Sequence, residues 1–401
     1  MRIAYIAPYQ GPGLLRSRPI VANLSLAGSI KTELIAGLLS ENNHEVEIIS
    51  QGEVVKLQCK RYPAFCESTL LYPNIQVFYA SALPVRFLNG FWSSRQTLGL
   101  LKSRHWHAPY DLVIIYNLKL PQLVSAKYAI QRLGVPVVFQ YEDDAFVDIA
   151  GKVTGEAGFK GRLERRRASV VLPALSGCMA ASPHLLSQVS PSIPKLLMRG
   201  VIGKDILDAV EQRQEGRKNL VLFSGTLQRI KGIEQLITAW RTLDLPDWEL
   251  HITGDGDLAS TLRTMSEDTP RTVFHGLVSR PELVRLMCLA KICINPHDVS
   301  HTPGNIFAFK IIEYLAAGAH VISTPMGSLE KEVERGMTYI PDNSPETIAV
   351  ALKQVILGGT WSCTAKEYVI DTYGPRSMAR ILDELLQQAS AYYSRRKGNR
   401  C

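Results

Sequence analysis

Short apolar runs punctuate the first half of the chain, and polar residues or turn formers bound each one. Ile3 to Ala7, Val46 to Ser50, Ile75 to Tyr79, Leu112 to Tyr116 and Val135 to Gln140 read as buried strands. Between them, Leu24 to Asn42 and Gln122 to Leu133 repeat apolar residues at helical spacing. The second half repeats this logic, with strand signals near Leu220, Leu250, Val273, Ile292 and His320 and helices between. Strand-helix alternation predicts α/β architecture, a parallel sheet covered on both faces. A chain of 401 residues exceeds one ordinary core, so two doubly wound domains facing each other across a cleft are expected. The charged stretch from Glu211 to Lys218 places the linker between Arg199 and Asn219. The expected domains are 1–205 and 206–375, followed by a C-terminal segment, 376–401.

Two segments carry candidate chemistry. The strand Asn219 to Ser224 runs into Gly225-Thr226-Leu227-Gln228-Arg229-Ile230-Lys231-Gly232, and an amphipathic helix, Ile233 to Leu243, follows. Two cations two residues apart on a strand-to-helix loop suit a diphosphate, Arg as a planar fork and Lys as a point charge. In the second segment, Pro303-Gly304 opens a helix from Asn305 that carries Glu313, Gly318 stops it, and a strand follows from His320 to Ser323. A helix start presents free amides and a positive dipole end, a seat for phosphate. An acid on such a helix accepts hydrogen bonds from sugar hydroxyls, which together suggest a nucleotide-sugar site. The alternative for Glu313 is a surface ion pair with Lys310, one turn back. The alternative for Arg229 and Lys231 is a solvated loop.

At these residues the chain resembles the family 4 retaining glycosyltransferases of the GT-B fold. The resemblance rests on Gly225 with Arg229-x-Lys231-Gly232, on Gly254-Asp255-Gly256, on Phe274-His275-Gly276-Leu277-Val278, on the helix from Asn305 to Glu313, and on Gly327. It is strongest over residues 220–327, and its specificity lies in the order and spacing of the set. It implies two Rossmann-like domains, the first for the acceptor and the second for the nucleotide-sugar donor. It also implies a last helix, about Ser377 to Tyr393, that crosses back to the first domain. Arg229 and Lys231 would stabilise charge on the leaving diphosphate. Gly225, Gly254, Val278, Asn305, Ile306 and Glu313 would line the donor site. The resemblance further implies retention at the anomeric carbon, no metal and no cofactor beyond the nucleotide sugar. One position departs from the pattern. The family has Glu, seven residues, then Glu, and here Asn305 holds the first position. Asn305 either touches the donor or caps the helix.

The remaining candidates lie in the first half. Glu142-Asp143-Asp144 follows the strand ending at Gln140, where the family often places a His. Glu142 and Asp143 either orient the acceptor or sugar, or are loop and capping acids. Gly11 and Gly13 follow the first strand, where glycine permits close backbone approach to a ligand or simply makes a turn. Gly254-Asp255-Gly256-Asp257 reads as a tight turn, with a metal reading as its weaker rival.

Charge extends the picture. The formal net charge is +8 and the pI is about 9.0, which points to an anionic partner. Basic residues mix with aromatics from Arg86 to His107, and Arg162, Arg165, Arg166 and Arg167 add a second cluster. This composition suits an anionic membrane surface or a lipid-diphosphate acceptor, against the alternative of a solvated helix face. No known nucleic-acid-reading module surrounds either cluster, so nucleic acid is not an expected partner. No apolar run reaches the roughly 18 residues of a membrane span. The opening strand leaves no room for a signal peptide before it, and the seven cysteines lack paired ligand spacing. A cytoplasmic location with reduced thiols is expected, peripheral to the inner face of a membrane.

The combined expectation is a glycosyltransferase using a UDP- or GDP-sugar on a glycan or lipid-linked acceptor in polysaccharide or glycolipid assembly. A sugar-nucleotide epimerase on the same fold and a non-catalytic nucleotide-binding relative are the alternatives.

Overall fold

The computed structural model describes residues 1–18, 26–52, 54, 60–85, 89–143, 159–300, 308–327, 329–359 and 365–398. The chain divides into two compact units. The first takes the described residues up to Val201 and the C-terminal stretch from Arg376, and the second is Ile202–Pro375.

The first unit is built on an eight-stranded sheet: β1 (Arg2–Ile6), β2 (Glu45–Ser50), β3 (Phe65–Ser68), β4 (Gln76–Tyr79), β5 (Leu112–Tyr116), β6 (Val137–Tyr141), β7 (Gly177–Ala180) and β8 (Lys195–Leu197). Their order is β3-β4-β2-β1-β5-β6-β7-β8, and every pairing is parallel except β3 with β4. Residues Val113 to Ile115 and Val137 to Phe139 are fully buried. A strand covered on both faces by helices needs such a continuous apolar run. The order reverses between β1 and β5, so the loops leaving those strands flank the switch point.

The last helix, Pro375–Gly398, belongs to this unit from Arg376 onward. It buries Met378, Leu382, Leu385, Leu386 and Ala389. Asn42 donates to the Ala379 carbonyl at 2.9 Å, and His44 Nε2 meets Asp383 at 2.9 Å.

The second unit has six parallel strands: β9 (Lys218–Ser224), β10 (Glu249–Thr253), β11 (Thr272–Gly276), β12 (Ala290–Asn295), β13 (His320–Ser323) and β14 (Met337–Tyr339). Their order is β11-β10-β9-β12-β13-β14. The first strand of the unit thus lies in the middle, with chain growth outward on one side and then the other. This is the doubly wound order, whose ligand crevice lies at the carboxyl ends of the two central strands. Here those ends are Ser224 of β9 and Asn295 of β12. The core beneath joins Val221, Phe223, Ile237, Trp240, Ile292 and Ile294.

Candidate functional site

The loop leaving β9 and the loop leaving β12 are stitched together at the switch point. Arg229–Lys231 forms one 3₁₀ turn, and the helix Ile233–Arg241 starts immediately after Gly232. The amide of Asp298 donates to the Ile230 carbonyl at 2.8 Å. Gly232 has φ 69°, and a Cβ there would sit 1.8 Å from the Pro296 carbonyl oxygen. Only glycine meets both demands. This close approach brings the Lys231 side chain to His297, whose Nε2 lies 3.1 Å from Nζ.

The tautomer of His297 follows from its other nitrogen. Nδ1 lies 3.2 Å from the backbone oxygen of Asp298, an acceptor only, so Nδ1 carries the proton. Nε2 then accepts from the Lys231 ammonium. Burial, with the charge of Lys231 added, pushes the imidazole down to about 4, consistent with a neutral ring. Burial also lowers the Lys231 ammonium.

The structure separates the two predicted cations. Lys231 is half-buried, whereas the Arg229 side chain is 83% exposed and lies 3.7 Å from Glu234. Lys310 joins Lys231 instead. Its Nζ donates to the Ser224 carbonyl at 3.2 Å and stands 4.5 Å from the centre of the Phe223 ring. Burial and the repulsion of Lys231 hold Lys310 down to about 7. The surface pair of Lys310 with Glu313 does not form.

Glu313 pairs elsewhere. Arg280, at the start of the helix Arg280–Leu289, donates Nη2 to Oε1 of Glu313 at 2.9 Å and Nε to Asp205 at 2.7 Å. Burial opposes the guanidinium charge, but the two carboxylates outweigh it and raise Arg280 above its ordinary value. Glu313 keeps 16% of its side-chain surface exposed.

The glycine motifs meet as a stack of loops. The amide of Gly225 donates to Thr253, that of Leu227 to Asp255, and that of Gly254 to Gly276. Gly254 has φ 145°, and a Cβ there would meet the Gly225 oxygen at 1.8 Å. The Asp255 carboxylate accepts from the Gly256 amide at 2.8 Å, as expected of a tight turn. Val278 lies in the short loop between β11 and Arg280, half-buried beside exposed Leu277.

One expectation needs correction. The helix predicted to run from Asn305 begins at Lys310 and ends at Ala316, with Phe309 at the N-cap position. Ala308 precedes it without regular structure, and Phe309 lies in the turn that leads into it. Asn305 and Ile306 lie outside the described residues, so neither is placed. The predicted stop is present, with Gly318 at φ 84°.

In the first unit, Gly11 is the N-cap of the short helix Pro12–Ser17 and Gly13 lies within it, and both amides already have partners. The Gly11 amide donates to the Tyr79 hydroxyl at 2.9 Å, and the Gly13 amide to Glu67 at 2.7 Å. Glu142 accepts from Lys31 Nζ at 2.6 Å and from Gln140 at 2.6 Å. Asn117, at φ 55° just past β5, accepts from the amides of Glu142 and Asp143 at 2.8 and 3.2 Å. Asp143 is exposed, and Asp144 lies outside the described residues.

Sequence reasoning missed His297, Lys310, Arg280, Lys31 and Asn117 as members of these groups. A signal existed for two of them. His297 follows a buried strand directly, and Lys310 interrupts an apolar stretch. Among the described residues, no group of three or more His, Cys, Asp or Glu side chains is placed to hold a metal ion.

Two of three comparisons with known proteins found matches. Residues 218–357 match the family model for glycosyl transferases group 1. No curated protein sequence matches the chain. Among solved structures, the sucrose-phosphate synthase of Thermosynechococcus elongatus aligns with a TM-score of 0.67 at 17% identity, over 98% of this chain and 99% of that one. The catalytic domain of starch synthase IV from Arabidopsis thaliana, bound to ADP and acarbose, aligns at 0.65 and 11%, over 98% and 99%. Anabaena Alr3699/HepE in complex with UDP-glucose aligns at 0.60 and 15%, over 96% and 99%. The resemblance carried by the sequence motifs therefore stands: residues 218–357 match the glycosyl transferases group 1 model, and the chain has the GT-B fold.

Proposed function

We propose that the protein is a glycosyltransferase that moves a sugar from a UDP- or GDP-sugar to an acceptor hydroxyl. The observation that carries this reading is the Lys231–His297 contact at the switch point of a domain that matches the family. It sets a cation where a doubly wound sheet receives a phosphate.

In this reading the diphosphate rests against the Gly225 loop, with Lys231 inside and Arg229 at the solvent edge. Glu313, held by Arg280, accepts the ribose hydroxyls. The bond from the anomeric carbon to the diphosphate breaks, a bond from that carbon to the acceptor oxygen forms, and the acceptor proton passes to the departing phosphate. Attack on the same face gives retention. The cations neutralise the leaving group without a metal. The first unit handles the acceptor, with Glu142 and Asp143 on the sugar or acceptor side. Because Glu142 is already paired with Lys31, its role is to orient rather than to act as a free base.

The acceptor is a glycan or a lipid-linked glycan, in polysaccharide or glycolipid assembly on an anionic membrane surface. Supporting this are the net charge and a cavity of about 320 Å³ lined by Lys127, Leu163, Arg166, Arg167 and Val170. Trp106 is 90% exposed at the end of the basic helix Asn89–His107. No described helix is long and apolar enough to cross a membrane.

The test is turnover of UDP- and GDP-sugars with and without EDTA, comparing the native chain with Lys231→Ala. Removal of Lys231 is expected to slow turnover about 100-fold or more while leaving the melting temperature nearly unchanged. Full activity in Lys231→Ala would remove the central residue of the proposal.

A further inference from the structure

Lys231, His297 and Lys310 come from three separate segments and crowd one end of the second sheet. Lys231 Nζ contacts His297 Nε2 at 3.1 Å, Lys310 disfavours a charge on His297, and Lys231 disfavours the charge of Lys310. Among the described residues, no carboxylate lies within ion-pair distance of either lysine. The groups around Lys310 can be named element by element. The end of β9 offers the Ser224 carbonyl and the Phe223 ring, and β12 offers the Cys293 thiol. The loop after β12 offers His297, with Asp298 behind it, and the Asp298 carboxylate accepts from the amide and hydroxyl of Ser300. On its own helix, Tyr314 contacts Ser224 and Glu313 is engaged by Arg280, which also holds Asp205. From the helix Lys366–Tyr373, the Tyr373 ring meets Phe309, and its hydroxyl donates to Glu330.

The cluster is thus two lysines around a neutral imidazole, beneath a loop that a glycine leaves open. A Cβ at Gly225 would stand 3.5 Å from Lys310 Nζ, so a side chain there would cover the ammonium. Such an arrangement is costly when every member is charged. It becomes favourable when a polyanion enters.

We propose that Lys231, His297 and Lys310 act as one proton-linked anion site, and that a nucleoside diphosphate is captured together with a proton taken up at Lys310 Nζ. This rests on the reading of the second unit as a nucleotide site. Lys310, held down to about 7 in the free protein, is mostly neutral at about pH 8. A bound diphosphate raises it, because an opposite charge favours the ammonium. The proton comes from the buffer, and no other bond changes. Linkage then fixes the sign: affinity is highest below about pH 7 and falls by up to tenfold per pH unit above it, until the pKa of the complex is reached.

The experiment is calorimetric titration of the full chain with UDP, and separately with GDP, at about pH 8 in two phosphate-free buffers of different ionisation enthalpy. At that pH the free nucleotide's own terminal phosphate is already almost fully ionised. The expected result is a buffer-dependent enthalpy equal to uptake of more than half a proton. Lys310→Arg, whose side chain stays charged, is expected to bind without uptake and with an affinity that is flat with pH. Binding by the native chain with no buffer dependence overturns the proton link and leaves the nucleotide reading standing. Binding with uptake that persists in Lys310→Arg assigns the proton elsewhere and overturns the proposal. No binding of either nucleotide overturns the nucleotide reading itself. The native titration decides the proton count even if the variant fails to fold.

Discussion

Arg280 Nη2 lies 2.9 Å from Oε1 of Glu313, while its Nε reaches Asp205 at 2.7 Å. One guanidinium thus ties the helix that carries Glu313 to the helix Lys204–Glu211. Removing the cation would leave Glu313 and Asp205 without their shared counter-ion. Arg280→Met is therefore expected to destabilise the second unit by about 2–4 kcal/mol, measured by urea unfolding. Glu313→Gln should cost less, because Arg280 keeps Asp205. If the two variants were equally stable, the guanidinium would not be the tie described.

His297 makes stability depend on acidity. Its imidazole is pushed down to about 4 in the folded chain and returns to its ordinary value on unfolding. Between about pH 6.5 and pH 4 the unfolded chain binds the extra proton, so stability falls as pH falls through that window. The native protein is expected to lose about 2 kcal/mol between pH 7 and pH 5 from this residue alone. In His297→Gln that contribution should vanish. Parallel unfolding curves at the two pH values, for native protein and variant, supply the comparison.

Gly232 closes the site by backbone contact. A methyl group there would meet the Pro296 carbonyl, and its φ of 69° disfavours any side chain. Gly232→Ala is expected to destabilise the chain by about 2 kcal/mol or more. It should also weaken nucleotide affinity at least tenfold, because the Lys231 turn moves away from His297. Thermal melting and the calorimetric titration report the two effects separately. A loss of stability without a loss of affinity would mean that the loop contact does not position Lys231.

Much of this fold was legible because its strands are buried on both faces. Runs such as Leu112 to Tyr116 and His320 to Ser323 have no polar alternation to blur them. The glycine motifs were legible for a related reason. Gly225, Gly254 and Gly232 stand where backbone crosses backbone, and that demand leaves few other choices. Partner choice was not legible. Lys310 stands one turn from Glu313, and local spacing pairs them, yet the structure turns Lys310 under β9 and gives Glu313 to Arg280, 33 residues earlier. Such pairings depend on which loops the sheet order brings side by side. The helix from Asn305 was overextended for a simpler reason: Ala308 and Phe309 continue the apolar pattern, yet the helix starts only at Lys310.

The last helix gives the molecule a temporal order. Residues near the start, such as Asn42 and His44, have their partners at Ala379 and Asp383, more than 330 positions later. During synthesis the first unit emerges first but lacks the apolar face that Met378, Leu382 and Leu386 supply. The second unit is complete in sequence before the first one is. A nascent chain stopped short of residue 376 therefore holds a finished second unit and an open first one, and the helix beyond it completes the first unit.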